Sequence, residues 1–280
     1  MSLQHKVWFI TGCSTGFGRN IAKQAIDAGY KVVVTARKVE QILDITSGNE
    51  ENTLALPLDV TNDEQIRIAV EQTIEKFGRI DVLVNNAGIG YFSSVEESVE
   101  EETRRMFEIN FWGLMHMTNA VLPHMRAQKS GHIINFSSIG GLTSFPTLGY
   151  YHATKYAVEG ISESLAKELT PFNIAVTLIE PSGFRTDWGG RSSVKTDTQI
   201  PELKESVVGQ MLKGVQQNSG QESGDPVKAA AAVINVVEAS NPPLRLLLGK
   251  AAHQAAKHKF TSMLADMEEW KEVSLNADFD

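Results

Sequence analysis

A single cysteine, Cys13, occurs among 280 residues, which excludes an internal disulfide and any cysteine-built zinc site. No apolar run approaches the ~18 residues that span a bilayer. The opening stretch MSLQHKVWFI lacks the apolar core of ~7–15 residues that marks a signal peptide. His5, His116, His124, His132, His152, His253 and His258 follow no H-E-x-x-H or similar ligand spacing, so no metal site is expected. Positive charge is in deficit: 26 Lys and Arg against 34 Asp and Glu leave a formal net charge of −8. That sign disfavours nucleic acid and anionic membrane surfaces as partners. Linkers rich in Pro, Gly or Ser, internal repeats and composition shifts are also missing, so one domain over residues 1–280 is expected. What remains is 42% hydrophobic and 21% charged, enough for a large core. A soluble cytoplasmic protein is the expectation.

Short β-branched runs alternate with helical patterns. Lys6–Ile10, Lys31–Thr35, Leu54–Leu56, Ile80–Val84, His132–Phe136 and Ile174–Ile179 read as strands, with Leu244–Leu248 a seventh. Between them lie amphipathic stretches over Gly18–Ala28, Asp63–Phe77, Glu101–Ala127 and Tyr151–Leu169, and the tail predicts helices over Pro226–Ala239 and Lys250–Lys271. Continuous apolar strands alternating with helices indicate an α/β fold: a doubly wound parallel sheet of about seven strands with helices on both faces. Residues 187–224 break the pattern with Gly189–Gly190, Ser192–Ser193 and the helix-like Pro201–Gln217. An insertion at the carboxyl end of a sheet is where a helical substrate lid would sit.

The first strand feeds Thr11-Gly12-Cys13-Ser14-Thr15-Gly16-Phe17-Gly18 and then a helix. Glycines there permit positive φ and let backbone N–H groups approach a pyrophosphate, whose charge the helix dipole favours. Cys13 reads as a small filler of this turn. At the end of strand two, where NAD enzymes usually carry an acidic residue for the ribose 2′-hydroxyl, the sequence has Ala36-Arg37-Lys38. A guanidinium suits a 2′-phosphate, so NADP(H) is the preferred cofactor, with Arg37 the main phosphate partner, Lys38 in support and NAD(H) left open.

A third cluster comprises Asn85-Asn86-Ala87-Gly88, then Asn110, then Ser137-Ser138 at the end of strand five, then Tyr151-His152-Ala153-Thr154-Lys155. Tyr151 and Lys155, at i and i+4, share a helix face. A phenol loses its proton near pH 10, and a neighbouring ammonium together with an oxidised nicotinamide would favour phenolate and bring it into working range. A serine from the adjacent strand end could hold the reacting oxygen. His152 points about 100° away from Tyr151 on a helix and reads as structural.

These motifs resemble those of the short-chain dehydrogenase/reductase family, in its single-domain, Rossmann-type form, over about residues 5–190 and more loosely over 225–250. The resemblance implies that Gly12, Gly16 and Gly18, with Ser14, Thr15 and Phe17, form the cofactor turn. It implies that Asp59 and Val60 form an adenine pocket and that Asn86, Ala87 and Gly88 flank the adenosine ribose. It also implies a catalytic tetrad of Asn110, Ser138, Tyr151 and Lys155. In it, Tyr151 is the acid/base, Lys155 lowers its pKa and binds the nicotinamide ribose, Ser138 holds the substrate oxygen and Asn110 positions a water. Ser138 is preferred to Ser137 by its family separation from Tyr151, and Tyr151 to Tyr150 by its lysine. The run Pro181-Ser182-Gly183-Phe184-Arg185-Thr186 departs from the family's Pro-Gly, with its glycine one place late; Pro181, Gly183 and Thr186 are still expected at the nicotinamide.

The implied activity is NADP(H)-dependent interconversion of an alcohol and a ketone or aldehyde by hydride transfer, with Tyr151 moving the proton. Apolar pocket candidates are Gly90–Phe92, Ile139–Leu142, Phe145, Ser182–Phe184, Trp188 and Met263, which suggests a hydrophobic small-molecule substrate. Ser138, Tyr151, Ile139, Phe184 and Trp188 are the expected substrate contacts. A 3-oxoacyl thioester reductase is the rival within the class: its carrier-bound substrate would favour a basic entrance, which Arg185 and Arg191 alone do not establish; an NADP-sensing regulator is the rival outside it. By the same resemblance a homodimer or homotetramer is expected, paired through the helices near 101–128 and 151–170.

Overall fold

The computed structural model describes residues 6–190, 192–218 and 220–279; His5 and Arg191 lie outside the described residues. Its strands are β1 (Val7–Ile10), β2 (Lys31–Ala36), β3 (Thr53–Pro57), β4 (Val82–Asn85), β5 (Gly90–Phe92), β6 (Gly131–Phe136), β7 (Ile174–Pro181), β8 (Ser193–Lys195) and β9 (Arg245–Leu248). Its helices are α1 (Gly16–Asp27), α2 (Leu43–Thr46), α3 (Asp63–Phe77), α4 (Glu100–Phe107), α5 (Leu114–Gln128), α6 (Gly149–Leu169), α7 (Pro201–Lys204), α8 (Val207–Asn218), α9 (Pro226–Glu238), α10 (Lys250–Glu269) and α11 (Lys271–Leu275). Seven strands form one parallel sheet in the order β3-β2-β1-β4-β6-β7-β9. The chain builds outward from β1 in one direction, then returns to add β4 on its other side. The carboxyl ends of β1 and β4 therefore border the crevice where such sheets bind ligands.

Side chains alternate across this sheet with period two. Trp8, Ile10, Val32, Val34, Val82 and Val84 pack under α1 and α9, whereas Phe9, Val33 and Leu83 pack under α3, α5 and α6. Both faces are covered, which is why these strands read as unbroken apolar runs. Helix boundaries follow local chemistry. Asn62 caps α3 by accepting from Gln65 N (3.0 Å), and Gly78 ends it at φ +77°. Asp225 caps α9, with Pro226 in its first turn. Among the described residues no helix is long and apolar enough to cross a membrane.

Some local features depart from the sequence expectation. The helix expected over Glu101–Ala127 carries a π-helical turn at Glu108–Gly113 between α4 and α5. Val60 packs so closely on Gly113 that a Cβ there would lie 2.6 Å from its side chain. Strands β5 and β8, too short to show periodicity, pair as a parallel two-stranded ribbon that docks the 187–224 insertion onto the body. The expected helix over Pro201–Gln217 is α7 and α8, separated at Ser206, whose hydroxyl accepts from Val208 N (3.1 Å). The last expected helix, Lys250–Lys271, ends at Glu269, with Trp270 as the break before α11.

Candidate active site

At the end of β1, Gly12 and Gly16 take φ +71° and +61°. A Cβ on Gly18 would lie 2.6 Å from Gly12 O and 2.5 Å from Asn86 Nδ2, so only hydrogen fits between helix and turn. Asn86 fastens this turn: its Nδ2 donates to Thr11 O (2.9 Å) and Gly12 O (3.0 Å), while Asn86 N and Ala87 N both donate to Thr11 Oγ1 (3.0 Å). Its side chain therefore serves the turn, while the residue itself lines the cleft. The first turn of α1 holds no acidic residue and Thr15 forms no side-chain cap, so its positive end is left for an anion. Cys13 is buried, its thiol pushed up to about 12 by desolvation, which suits a filler.

From this turn opens a cleft of about 1410 Å³. That exceeds the ~300–1,000 Å³ of a typical small-ligand pocket and suits a dinucleotide with a substrate beside it. Gly12, Ser14, Thr15, Gly16 and Phe17 line it, as do Arg37, Lys38, Asp59, Val60, Asn86, Ala87, Gly88, Pro181, Gly183 and Thr186. Gly18 sits behind its wall. The extra residue Ser182 has a structural cause: its N–H donates to Leu248 O (3.0 Å), carrying the β7–β9 ladder one step beyond Pro181. Thr186 still reaches the glycine turn, since a Cβ on Gly16 would lie 3.3 Å from its side chain. The residues present thus fit a nicotinamide dinucleotide.

Tyr151, Lys155 and Ser138 meet at the cleft's inner end. Ser138 begins the tight turn after β6, accepting from Gly140 N (3.0 Å). Lys155 donates to Phe136 O (2.7 Å) and its Nζ lies 5.7 Å from the centre of the Tyr151 ring. The acidified phenol expected from sequence presupposes a bound oxidised nicotinamide, and the chain by itself gives the opposite shift. Burial pushes Tyr151 up to about 12, against the opposing hydrogen bond of Ser138. Burial also pulls Lys155 down to about 8, against the attraction of Glu159. The protein alone therefore keeps Tyr151 protonated. Tyr150 is exposed instead.

Asn110, in the π-helical turn, does not line the cleft. Its Oδ1 accepts from Ile89 N (2.8 Å) and its Nδ2 donates to Ile89 O (2.9 Å), clamping the chain after Gly88. Its side chain thus positions the backbone at Ile89. His152 is structural as expected: Nε2 accepts from Phe145 N (2.8 Å) and Nδ1 meets Gly140 O (2.9 Å), pinning the loop that follows Ser138.

At the substrate end the Trp188 ring lies 4.9 Å from Tyr151 and 5.3 Å from Phe92. Gly90 allows this, because a Cβ there would come within 2.8 Å of the indole. Ile139 lines the cleft while packing against Ala252 and Ala256 of α10. Phe184 lies nearer the cofactor turn, with its ring 5.1 Å from Phe17 and its face on Gly224. Met263 is a miss: it is 45% exposed on the outer half of α10 and does not line the cleft. Sequence reading also missed Arg105, Leu148, Val194, Met211 and Val215, which complete the wall. Val194, Met211 and Val215 fall in the 187–224 insertion, the one signal that could have found them. Glu97 ties that insertion down, accepting from Gln199 N (2.6 Å) and Ile200 N (3.1 Å). Hydrogen bonding holds its carboxyl at about 2, with the Thr198 side chain the largest contribution and Ser94 (2.7 Å), Gln199 and Ile200 adding to it. Arg185 Nε donates to Glu222 O (2.7 Å). Among the described residues no group of His, Cys, Asp and Glu could hold a metal ion.

With that geometry in place, the short chain dehydrogenase family model matches residues 6–197. The oxidoreductase BOA17 of Botryotinia fuckeliana is 41% identical over 271 residues, covering 96% of this chain and 98% of that protein. A 3-ketodihydrosphingosine reductase of Bacteroides thetaiotaomicron is 38% identical over 249 residues, covering 88% of this chain and 89% of that protein. The crystal structure of a short-chain dehydrogenase from Streptomyces avermitilis superposes with a TM-score of 0.91 at 40% identity, covering 99% of this chain and 100% of that one. The chain belongs to the short-chain dehydrogenase/reductase family and is an NAD(P)-dependent oxidoreductase.

Proposed function

We propose that this short-chain dehydrogenase/reductase reduces an apolar ketone or aldehyde with NADPH, and that Tyr151 delivers the proton. The observation that carries the reading is the meeting of Tyr151 with Ser138 and Trp188 at the inner end of a cleft whose other end carries Arg37 and Lys38. Reduced nicotinamide, when bound, supplies the hydride that adds to the carbonyl carbon. Tyr151, kept protonated by burial, donates its proton to the carbonyl oxygen as the C=O π pair becomes an O–H bond. Ser138 holds that oxygen while charge develops on it. Lys155 faces the same phenol and is placed to favour its anion once the proton has left. Trp188 and Phe92 exclude water above it.

The cofactor choice rests on Ala36, Arg37 and Lys38 at the end of β2, where no carboxylate stands to repel a 2′-phosphate. The apolar substrate class is supported by Phe92, Ile139, Leu148, Val194, Met211 and Trp188 around the inner end. It also agrees with the relative named as a 3-ketodihydrosphingosine reductase. The insertion over 187–224 acts as the lid. Exposed Trp112 and Tyr156 on the two long helices support a homo-oligomer built there.

Tyr151→Phe tests the reading. The variant should lose at least ~100-fold in kcat, the range for a general acid, while NADPH affinity stays within a few-fold. Turnover near the wild-type level would remove Tyr151 from its role.

A further inference from the structure

Below Tyr151 and Lys155 the same stripe of α6 continues with Glu159 and Glu163, at i+8 and i+12 from the tyrosine. Glu159 is buried, and its Oε2 accepts from Arg245 Nε (3.0 Å), a cation contributed by β9. Glu180, on β7 just before Pro181, is fully buried; its Oε1 lies 3.4 Å from the same Nε. Arg245 completes its bonding with Glu163 (2.9 Å), which lies toward the surface and also takes Lys167 (3.1 Å). Glu159 Oε1, both oxygens of Glu180 and the hydroxyl of Ser137 are buried with no hydrogen-bond donor among the described residues.

Two carboxyl groups that face each other can satisfy one another only if one carries a proton, because ionised carboxylates only accept. Burial first, then the like charge of Glu159, pushes the Glu180 carboxyl well above its ordinary range. A proton shared by this pair leaves two carboxylates, on Glu159 and Glu163, against two cations, Lys155 and Arg245.

We propose that Glu159, gripped by Arg245 and sharing a proton with Glu180, is a positioning residue that keeps buried Lys155 in its ammonium form at the catalytic wall. The inference rests on the reading of Tyr151 and Lys155 given above and deepens it. The titratable and charged groups facing this stripe are Tyr151 and Glu163 on α6 itself, Glu180 on β7 and Arg245 on β9. Glu159 acts through Lys155 and touches neither substrate nor cofactor, since it does not line the cleft. Its grip also ties the end of β7, at Pro181, to the helix that carries Tyr151. One cluster thus sets both the charge and the placement of the wall.

The test compares wild type, Glu159→Gln, Glu159→Asp, Glu180→Gln and Glu163→Gln. Lysine Cε is labelled with ¹³C, and the Lys155 resonance is assigned by its loss in Lys155→Met. Removing the counter-charge should move the Lys155 titration down by about one pH unit in Glu159→Gln, with the alkaline fall of kcat/KM following it. Glu180→Gln, whose amide can donate to Glu159 as a protonated carboxyl does, should keep the wild-type midpoint. Glu163→Gln touches the same Arg245 without facing Lys155 and should also keep it. If Glu159→Gln does not fold, Glu159→Asp retains the charge at greater distance and should give a smaller shift of the same sign. An unmoved Lys155 midpoint in a folded Glu159 variant, or an equal shift in Glu163→Gln, overturns the inference. Absence of carbonyl reduction in wild type would fail the functional reading instead, and the resonance titration separates the two.

Discussion

At the nucleotide end of the cleft the work is done by backbone: Gly12, Gly16 and Gly18 admit the close approach, and Asn86 closes the turn on Thr11 and Gly12. At the end proposed for the substrate it is done by side chains: Trp188 leans on Tyr151 and Phe92, and Glu97 holds the 187–224 segment through two backbone N–H groups. The first end is fixed by turn geometry within a few residues of sequence. The second depends on contacts about 100 residues apart, as between Glu97 and Gln199. A cofactor common to many enzymes can be gripped by a local motif, whereas selectivity for a substrate is left to adjustable side chains.

That difference can be broken at either end. Gly18→Val should be the most damaging, because its added carbons would fall on Gly12 O and Asn86 Nδ2. Overpacking of this kind costs ~1–3 kcal/mol in stability. Nucleotide affinity should fall by more than ~100-fold, since a dislocated turn loses several charge-assisted hydrogen bonds at once. Calorimetric titration with NADPH would read it; near-normal affinity would show that the turn is not the grip. Glu97→Gln should act only at the other end, raising KM for the carbonyl several-fold and leaving NADPH affinity unchanged. The same latch carries a pH signature. Glu97 is held below its ordinary range, so its contribution is complete above about 4.5 and is lost as pH falls toward about 2. Protection of the amides of Gln199 and Ile200 from hydrogen exchange should fall over that window, and protection unchanged there would remove Glu97 as the latch.

The same contrast explains what was legible in the sequence. Strand and helix positions followed from apolar periodicity, because a sheet covered on both faces leaves unbroken apolar runs such as Val32–Val34. The glycine turn, Arg37, Ser138, Tyr151 and Lys155 each sit at a strand end or one helical turn apart, so spacing together with the family resemblance exposes them. Side-chain use was less readable. Asn86 and Asn110 spend their amides on Thr11, Gly12 and Ile89, and no one-dimensional pattern shows which backbone an amide will find. The strands β5 and β8 are too short to carry periodicity, and Met263 looked like a pocket residue only because α10 was read without its neighbours. The state of Tyr151 in the chain without cofactor was not readable either, for a physical reason. Sequence shows the lysine four residues on, but not the burial that raises the phenol and weakens the ammonium together.

The account stands most directly on the steady-state oxidation of NADPH and NADH by the purified protein with a graded series of apolar ketones and aldehydes, run on wild type and Arg37→Ala. It predicts carbonyl-dependent consumption with kcat/KM favouring NADPH by at least tenfold, and a loss of that preference in Arg37→Ala. The variant should lose ~1.5–3 kcal/mol of NADPH binding, the worth of hydrogen bonds to a charged group. Equal efficiency with both nucleotides in wild type, or no carbonyl-dependent oxidation of either, would contradict it.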